Sequence, residues 1–277
     1  APLFSQPQQA MPSLVASMSR DGFDEFAEAI MTTDTVPKIV TRRTEVAEGP
    51  FTVLGVAKGA GMMRPDMATM LVFVCTDLAA RPDTLEDVIQ NLLENVGERL
   101  DGDTSTNDTV LLLANGMAGV AVESFPHVFQ EVLDDVLLDL AKELVRDGEG
   151  ATKMVTVLVK GARAPDEARR VADTVSHSSL VKTALFGEDA NWGRVIAAVG
   201  RAGVPIRPEK IDIFFDEVRL VQDGEWCGAE AEASSTEVLK RPEFVLCVDL
   251  KSGSDWAQIY TCDLSVEYVR INADYRS

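Results

Sequence analysis

The sequence has few of the residues on which metal and disulfide chemistry depend. Its 277 residues include two histidines, His127 and His177, and four cysteines, no two of which are spaced as Cys-x-x-Cys. We therefore expect neither a zinc site nor a disulfide framework. A Ser-His-Asp triad is also disfavoured, because it needs a histidine held between nucleophile and carboxylate. Three cysteines lie in apolar runs, which indicates buried thiols in a reducing environment. They are Cys75, Cys247 and Cys262.

Positive charge and long apolar runs are also scarce. The chain has 26 Lys and Arg against 45 Asp and Glu, a formal net charge of −19. A surface of that sign repels nucleic acid phosphates and anionic lipid, so we expect neither as a partner. No apolar run reaches the ~18 residues of a membrane span. The first residues also lack the basic and apolar regions of a signal peptide. These absences predict a cytoplasmic protein.

Hydrophobic residues make up 46% of the chain, enough for a full core. Helical spacing or capping predicts helices near residues 24–31, 83–97, 129–146 and 167–185. Strands are expected at 51–57, 69–75, 109–113, 154–159, 211–215, 218–221, 244–250, 257–262 and 266–271, with the strand at 109–113 buried. Helices and strands alternate without a strict βαβ rhythm. The pattern predicts an α/β (α+β) fold of mixed sheets layered against helices, with a β-rich portion from about residue 190.

The stretch from Lys58 to Leu71 contains the most informative feature. A glycine-rich loop leads into Ala68-Thr69, which opens an apolar run. A threonine hydroxyl is a poor nucleophile without a base nearby. Breaking the Ala68–Thr69 bond would give Thr69 a free α-amine of pKa ~7.7–8.0, which can act as that base. On the residues alone, the pattern favours an ordinary strand threonine over a nucleophile.

Other motifs carry no sharp chemistry by themselves. Gly59-Ala60-Gly61 lacks the third glycine of a dinucleotide loop and the Gly-Lys-Ser/Thr of a phosphate loop. The polar tract 101–108 lacks the spacing of a calcium loop and favours a hydrogen-bonded turn.

Several separate blocks carry a resemblance to a known family. They are Ala29–Thr35, Ala57–Met62, Ala68–Leu71, Asp103–Thr109, Asp147–Lys153, Phe186–Arg194 and Tyr268–Asn272. In this order the chain resembles the ornithine acetyltransferase family, also called glutamate N-acetyltransferase, from about Gly22 onward.

The resemblance implies a self-processing acyltransferase of arginine biosynthesis with an N-terminal-nucleophile, ornithine acetyltransferase-like fold. Cleavage at Ala68–Thr69 would leave residues 1–68 as the end of an α chain and 69–277 as a β chain. Thr69 would then take acetyl from N-acetylornithine and pass it to glutamate. Paired α and β chains are expected to assemble. No metal or cofactor is implied, and the use of acetyl-CoA as a second donor stays open.

The resemblance also implies a set of substrate-binding residues. Lys58 would bind a substrate carboxylate, and Glu149 would bind the distal ammonium of ornithine. The full set is Thr32, Lys58, Thr69, Glu149, Asn272 and Ser277. Without the resemblance, Lys58 reads as a surface lysine, Glu149 as a helix-end carboxylate and Asn272 as a turn amide.

One departure from the family bears on activity. The family has an N-terminal segment with a Thr-Gly pair that forms the oxyanion hole, and this sequence contains no match to it. Losing such a donor lowers turnover by ~10²–10³, so we expect Ala1–Ser277 alone to be poorly active or inactive. The alternative is that the segment is supplied by a separate chain.

Two other functions fit the residues. One is a different N-terminal-nucleophile enzyme, an amidase or aminopeptidase. The other is an uncleaved or truncated relative that binds amino acids without catalysis.

Overall fold

The computed structural model describes residues 5–61, 70–81, 83–84 and 109–274. Over these ranges it has eight helices and ten strands. The helices are α1 (Ser5–Ala16), α2 (Phe23–Ala29), α3 (Pro126–Arg146), α4 (Pro165–Ser176), α5 (Ser179–Phe186), α6 (Trp192–Arg201), α7 (Ala229–Leu239) and α8 (Val266–Asp274). The strands are β1 (Lys38–Val46), β2 (Gly49–Lys58), β3 (Leu71–Thr76), β4 (Thr109–Ala114), β5 (Met154–Ala162), β6 (Asp212–Phe215), β7 (Val218–Gln222), β8 (Glu225–Trp226), β9 (Glu243–Asp249) and β10 (Asp255–Cys262).

The first sheet has the order β1-β2-β3-β4. Strands β1 and β2 form an antiparallel hairpin, and β3 pairs antiparallel with β2. Strand β4 runs parallel to β3. The β2–β3 register places Leu71 opposite Lys58. The start of β3 therefore lies beside the end of β2, where the predicted site residues begin.

Helix α3 covers one face of this sheet. Its buried side chains recur every three or four residues, the spacing of one helix face. They include Phe129, Leu133, Val136, Leu140 and Leu144, each at most 1% exposed. This stripe packs on β1 and β2 and, by hydrophobic burial, contributes about 1.5–3 kcal/mol per large side chain. The helix thereby fixes the position of its C-terminal turn relative to the end of β2.

The second sheet has the order β10-β5-β9-β6-β7-β8 and mixes parallel and antiparallel pairs. Helix α4 packs on β5 and β10 over a second apolar core. Met154 and Cys262, at the ends of β5 and β10 that pair together, join the core beneath α3. The end of β10 and the start of α8 are thus brought next to the α3–β5 turn.

The predicted helix over 167–185 is two helices. Helix α4 ends at Ser176, and Ser178 caps α5 by accepting a hydrogen bond from the Val181 N–H. The Ser178 hydroxyl pairs with one of the backbone N–H groups that have no partner within the first turn, and this capping favours the start of a new helix at Ser179. His177 lies between the two helices with its side chain 17% exposed, so it is not a freely solvated surface residue.

The predicted strand at 266–271 is wrong, because these residues form α8. Ser265 Oγ accepts hydrogen bonds from the N–H groups of Glu267 (3.2 Å) and Tyr268 (3.3 Å), which caps the first turn. The short apolar run suggested burial, but Val266 and Val269 are 60% and 63% exposed.

The strand at 109–113 is confirmed as β4, yet it is an edge strand rather than a buried one. Leu111 and Leu113 are 42% and 53% exposed. The predicted helix near 83–97 lies almost wholly outside the described residues, and the tract 101–108 lies outside them entirely. No helix within the described ranges is long and apolar enough to cross a membrane.

Candidate active site

Lys58 and Thr32 meet at the end of β2. The Lys58 Nζ donates a hydrogen bond to the Thr32 Oγ1 over 2.7 Å. Lys58 is only 6% exposed, whereas Thr32 is exposed. Two of the predicted binding residues are therefore in contact, although 26 positions separate them.

Asp34 holds both members of this pair. Its Oδ2 accepts from the Thr32 N–H at 3.1 Å, and its Oδ1 accepts from the Gly59 N–H at 2.7 Å. The Oδ1 also accepts from the Lys38 Nζ at 2.8 Å. Burial acts to raise the pKa of the Asp34 carboxyl, but the bonds from Lys38, Gly59 and Thr32 outweigh it, so the pKa is lowered. Asp34 therefore stays ionised and fixes the backbone on both sides of the pair.

Lys38 connects this cluster to the end of α3. Its side chain is 1% exposed and forms ion pairs with Asp34 and Asp147. Asp147, the C-cap residue of α3, also accepts hydrogen bonds from the Thr35 N–H and hydroxyl. We call Thr32, Asp34, Lys38 and Lys58 the Lys58 side of the site. Asp147 ties it to the turn that follows α3.

Glu149 lies in that turn, two residues after Asp147. Its N–H donates to the Ala60 carbonyl oxygen at 2.7 Å. Its Oε2 accepts from the Asn272 Nδ2 at 2.8 Å, and Asn272 Nδ2 also donates to the Tyr268 carbonyl oxygen at 2.9 Å. We call Glu149 and Asn272 the Glu149 side. The structure thus brings together the predicted residues Thr32, Lys58, Glu149 and Asn272 around residues 58–61.

Two glycines fix the position of the Glu149 side, because the chain at Gly150 lies against the start of α8 and the chain at Gly61 lies against the Glu149 carboxylate. Gly150 has φ +68°, and a side-chain carbon there would lie 2.5 Å from the Tyr268 nitrogen at the start of α8. Ser265 Oγ donates to the Gly150 carbonyl oxygen at 2.6 Å. A side-chain carbon at Gly61 would lie 2.5 Å from Glu149 Oε2. Gly150 therefore has no room for a side chain beside α8, whereas a side chain at Gly61 would displace the Glu149 carboxylate.

The remaining predicted site residues lie outside the described residues. They are Ala68, Thr69 and Ser277. The first described residue after Thr69 is Met70, whose carbonyl oxygen accepts from the Thr109 N–H at 3.0 Å. The roles of all six binding residues stay predictions.

The sequence interpretation missed Asp34, Lys38 and Asp147. Asp34 and Asp147 fall in blocks that carry the family resemblance, but nothing local assigns them a role. Lys38 and Asp147 are 109 residues apart, and only the folded chain pairs them. The one local signal is the i, i+4 spacing of Asp34 and Lys38.

A family model described as ArgJ matches residues 4–277. The chain belongs to the ArgJ family. It is 50% identical over 273 residues to the "Arginine biosynthesis bifunctional protein ArgJ" of Geobacter sulfurreducens, covering 96% of this chain and 70% of that protein. The same name belongs to a Desulfotalea psychrophila protein, 50% identical over 270 residues, covering 95% of this chain and 69% of the relative.

A crystal structure of the arginine biosynthesis bifunctional protein argJ from Bacillus halodurans has the same fold. The TM-score is 0.69 at 38% sequence identity, and the match covers 75% of this chain and all of that chain. The predicted fold class is confirmed. Membership of the ArgJ family also confirms the predicted enzyme class, an acyltransferase of arginine biosynthesis.

Proposed function

We propose that this protein transfers acetyl from N-acetylornithine to glutamate through an acetyl-Thr69 ester, in arginine biosynthesis. Thr69 becomes a nucleophile with a free α-amine when the Ala68–Thr69 bond breaks. Thr32, Lys58, Glu149, Asn272 and Ser277 bind the two amino acids. Membership of the ArgJ family supports the reaction, and the geometry around residues 58–61 supports the binding roles.

The burial of the Lys58 ammonium is the observation that carries the proposal. Lys58 is 6% exposed, and among the described residues its Nζ has one hydrogen-bond acceptor, the neutral Thr32 hydroxyl. A lysine ammonium has three N–H donors, and burying a charge without an opposite charge is unfavourable. A substrate carboxylate bound at Lys58 would supply both the acceptors and the charge.

Glu149 supplies the opposite charge on the other side of residues 58–61. Its backbone is bonded to Ala60 and its carboxylate to Asn272, a neutral amide. An amino acid with a carboxylate and a distal ammonium matches this arrangement of one cation and one anion. Ornithine has both groups.

The proposed transfer has two steps. Thr69 Oγ attacks the acetyl carbon of N-acetylornithine, its proton passes to its own α-amine, and the C–N bond breaks as the ornithine nitrogen takes that proton. The neutral amine of glutamate then attacks the carbonyl carbon of the acetyl-Thr69 ester, the bond from that carbon to Thr69 Oγ breaks, and a proton of the amine passes to Oγ, which gives N-acetylglutamate and the free Thr69 hydroxyl. Splitting the transfer in this way predicts ping-pong kinetics.

Self-cleavage is the second part of the proposal. Thr69 Oγ attacks the Ala68 carbonyl carbon, the peptide C–N bond breaks, and water hydrolyses the resulting ester to free both ends. One observation supports it. Leu71, two residues after Thr69, lies opposite Lys58 in the β2–β3 register, which favours a cleavage bond close to the Lys58 side.

Intact-mass spectrometry of the full-length protein tests both parts. We expect two fragments divided between Ala68 and Thr69. Incubation with N-acetylornithine should add one acetyl group to the second fragment, and glutamate should then remove it. Thr69→Ala should abolish cleavage and acetylation, whereas Thr69→Ser, which keeps a hydroxyl, should retain measurable activity of both kinds.

Three results would contradict the proposal. Full turnover by Thr69→Ala would exclude Thr69 as the nucleophile. Ornithine release at the same rate with and without glutamate would indicate an amidase. A single undivided chain that binds ornithine without acetylation would indicate an amino-acid-binding relative. The proposal has three further parts: glutamate acetylation by acetyl-CoA, the assembly of paired chains, and a cytoplasmic location. An acetylation assay and a mass measurement of the assembly on the purified protein test the first two, and localisation in the cell tests the third.

A further inference from the structure

The Glu149 side of the site joins two segments that are far apart in the chain. Glu149 lies in the turn after α3, and Asn272 lies on α8, 123 positions later. Their side chains meet over 2.8 Å, so the turn and the helix must be held at a fixed distance. Neither residue lies in a strand, so sheet pairing does not set this distance directly.

Asp263 is a buried residue that joins the two segments. It follows β10 directly and is only 3% exposed. Its Oδ1 accepts hydrogen bonds from the N–H groups of Thr152 (2.8 Å) and Lys153 (3.0 Å), and its Oδ2 accepts from the Thr152 hydroxyl at 2.5 Å. Hydrogen bonds to a charged acceptor are stronger than those between neutral groups. Asp263 therefore holds the backbone just before β5, three residues after Glu149.

Ser265 makes a second connection two residues further along the chain. Its Oγ donates to the Gly150 carbonyl oxygen at 2.6 Å and accepts from the first N–H groups of α8. One hydroxyl thereby contacts both the turn after α3 and the helix that contains Asn272. Asp263 and Ser265 together set how this turn lies against the start of α8.

Glu149 and Asp263 both line a cavity of about 120 Å³, but their carboxylates are used differently. The Asp263 carboxylate accepts three hydrogen bonds from the protein, whereas that of Glu149 accepts one among the described residues, from Asn272. An ionised carboxylate has about four acceptor sites. The Glu149 carboxylate therefore keeps most of its acceptor sites for a ligand ammonium, while those of Asp263 hold the backbone.

We propose that Asp263 is a positioning residue of the transfer reaction. It holds the turn after α3 so that the Glu149 carboxylate meets the distal ammonium of N-acetylornithine, and it does so without contacting the substrate. This rests on the proposed function, in which Glu149 binds that ammonium. Loss of the Asp263 charge should therefore weaken recognition of the distal ammonium, and should do so only while Glu149 keeps its own charge.

The test compares two acetyl donors in the full-length protein, with acetylation of Thr69 followed by mass. They are N-acetylornithine and N-acetylnorvaline, which has the same carbon chain without the distal ammonium. Asp263→Asn replaces one acceptor oxygen with an N–H donor. We expect its kcat/KM to fall by about 10-fold for N-acetylornithine and by less than about 2-fold for N-acetylnorvaline, because misplacing a binding group lowers the rate steeply. A smaller fraction of folded protein would lower both values equally, so a purely structural role leaves their ratio unchanged.

A double-variant cycle tests whether Asp263 acts through Glu149. In a Glu149→Gln background, Asp263→Asn should lower kcat/KM for N-acetylornithine by less than about 2-fold more, because the charge that it positions is already absent. The matched control is Asp212→Asn. Asp212 is 2% exposed and accepts from the Asp223 N–H at 2.8 Å, at the opposite end of the second sheet. Its substitution should lower stability and leave the preference between the two donors unchanged.

An unchanged donor preference in Asp263→Asn would overturn the role of Asp263, and so would an undiminished effect in the Glu149→Gln background, since Asp263 would then act independently of Glu149. If Asp263→Asn does not fold, Thr152→Val, which removes one of the three donors, is measured in the same way. If neither variant folds, Asp263 supports the fold and the proposal fails. A wild type that never forms acetyl-Thr69, or an unchanged donor preference in Glu149→Gln alone, instead refutes the proposed function itself.

Discussion

The two sides of the site differ in how they are held. The Lys58 side is part of the protein interior, where a lysine that is 1% exposed bridges two aspartates and one of these binds the backbone at Thr32 and Gly59. The Glu149 side is built at the ends of elements. Its residues are a half-buried glutamate in a turn and an exposed asparagine near the end of α8, joined by one side-chain bond.

This difference separates stability from function. Charges inside the protein are unfavourable unless paired, so substitutions on the Lys58 side should affect folding and binding together. Exposed polar groups contribute little to stability, so substitutions on the Glu149 side should affect binding alone. Each variant below tests that contrast.

Lys38→Met should have the largest effect. It leaves the buried carboxylates of Asp34 and Asp147 without their shared cation, which destabilises a protein by about 3–5 kcal/mol. Urea denaturation measures the free energy of unfolding. The matched control is Arg42→Met on the same strand, because its ion pair with Asp139 is about 40% exposed on both sides and should contribute no more than about 1 kcal/mol. Equal losses in the two variants would remove the contrast.

Asp34→Asn should have an intermediate effect. The amide keeps an oxygen acceptor but not the charge that pairs with Lys38, so we expect a loss of about 1–3 kcal/mol in stability. Because Asp34 positions Thr32 and Gly59, kcat/KM for N-acetylornithine should fall by about 10-fold, a loss of roughly 1.4 kcal/mol. Asp139→Asn is the control. An Asp34→Asn enzyme that loses stability but no activity would show that Asp34 acts on the fold alone.

The pH dependence of the stability difference between wild type and Asp34→Asn is a smaller effect, and its sign follows from the pKa of Asp34. The pKa of Asp34 is lowered in the folded protein, so its stabilisation is present above the unfolded value of about 3.9 and is lost as pH falls through the folded value. The stability difference between wild type and Asp34→Asn should therefore shrink below about pH 4. A difference that grows in acid would contradict the assigned charge state.

The sequence predicts helix α3, which leads to the Lys58 side, better than helix α8, which contains Asn272. Helix α3 has a regular apolar period over 21 residues, so both the helix and its end near Asp147 were predictable. Helix α8 is nine residues with valines at exposed positions, and its short apolar run fits a strand equally well. The cap from Ser265, which decides the outcome, depends on contacts with the Gly150 turn.

The candidate site residues could be proposed from the sequence only through the family resemblance. Thr32, Lys58, Glu149 and Asn272 have ordinary surface interpretations as isolated residues, and the structure brings them together. The network beneath them was not predicted, because Lys38 and Asp147 are distant in sequence and no local pattern encodes their pairing. Buried charge pairs of this kind follow from the tertiary fold.

Asn272→Ala should affect function with little effect on stability. The Asn272 amide is exposed and bonds Glu149 Oε2 and the Tyr268 carbonyl oxygen, so its loss should change the free energy of unfolding by about 0.5 kcal/mol or less. Glu149 then loses its one side-chain partner among the described residues, and KM for N-acetylornithine should rise several-fold. Steady-state kinetics beside urea denaturation measure both. A large loss of stability would show that Asn272 supports the fold as the residues of the Lys58 side do.

Gly61→Ala should have the smallest effect and gives the sharpest test of the Glu149 side. The added carbon would lie 2.5 Å from Glu149 Oε2. Because the Glu149 carboxylate is the end of a flexible side chain, the carboxylate can rotate away from Asn272. The hydrogen bond from the Glu149 N–H to the Ala60 carbonyl oxygen is kept. We expect KM for N-acetylornithine to rise a few-fold and stability to change by less than about 0.5 kcal/mol. Gly200→Ala is the control, since a carbon there meets no atom within 4 Å and should, if anything, stabilise α6. Unchanged kinetics in Gly61→Ala would mean that the position of the Glu149 carboxylate does not matter for binding ornithine.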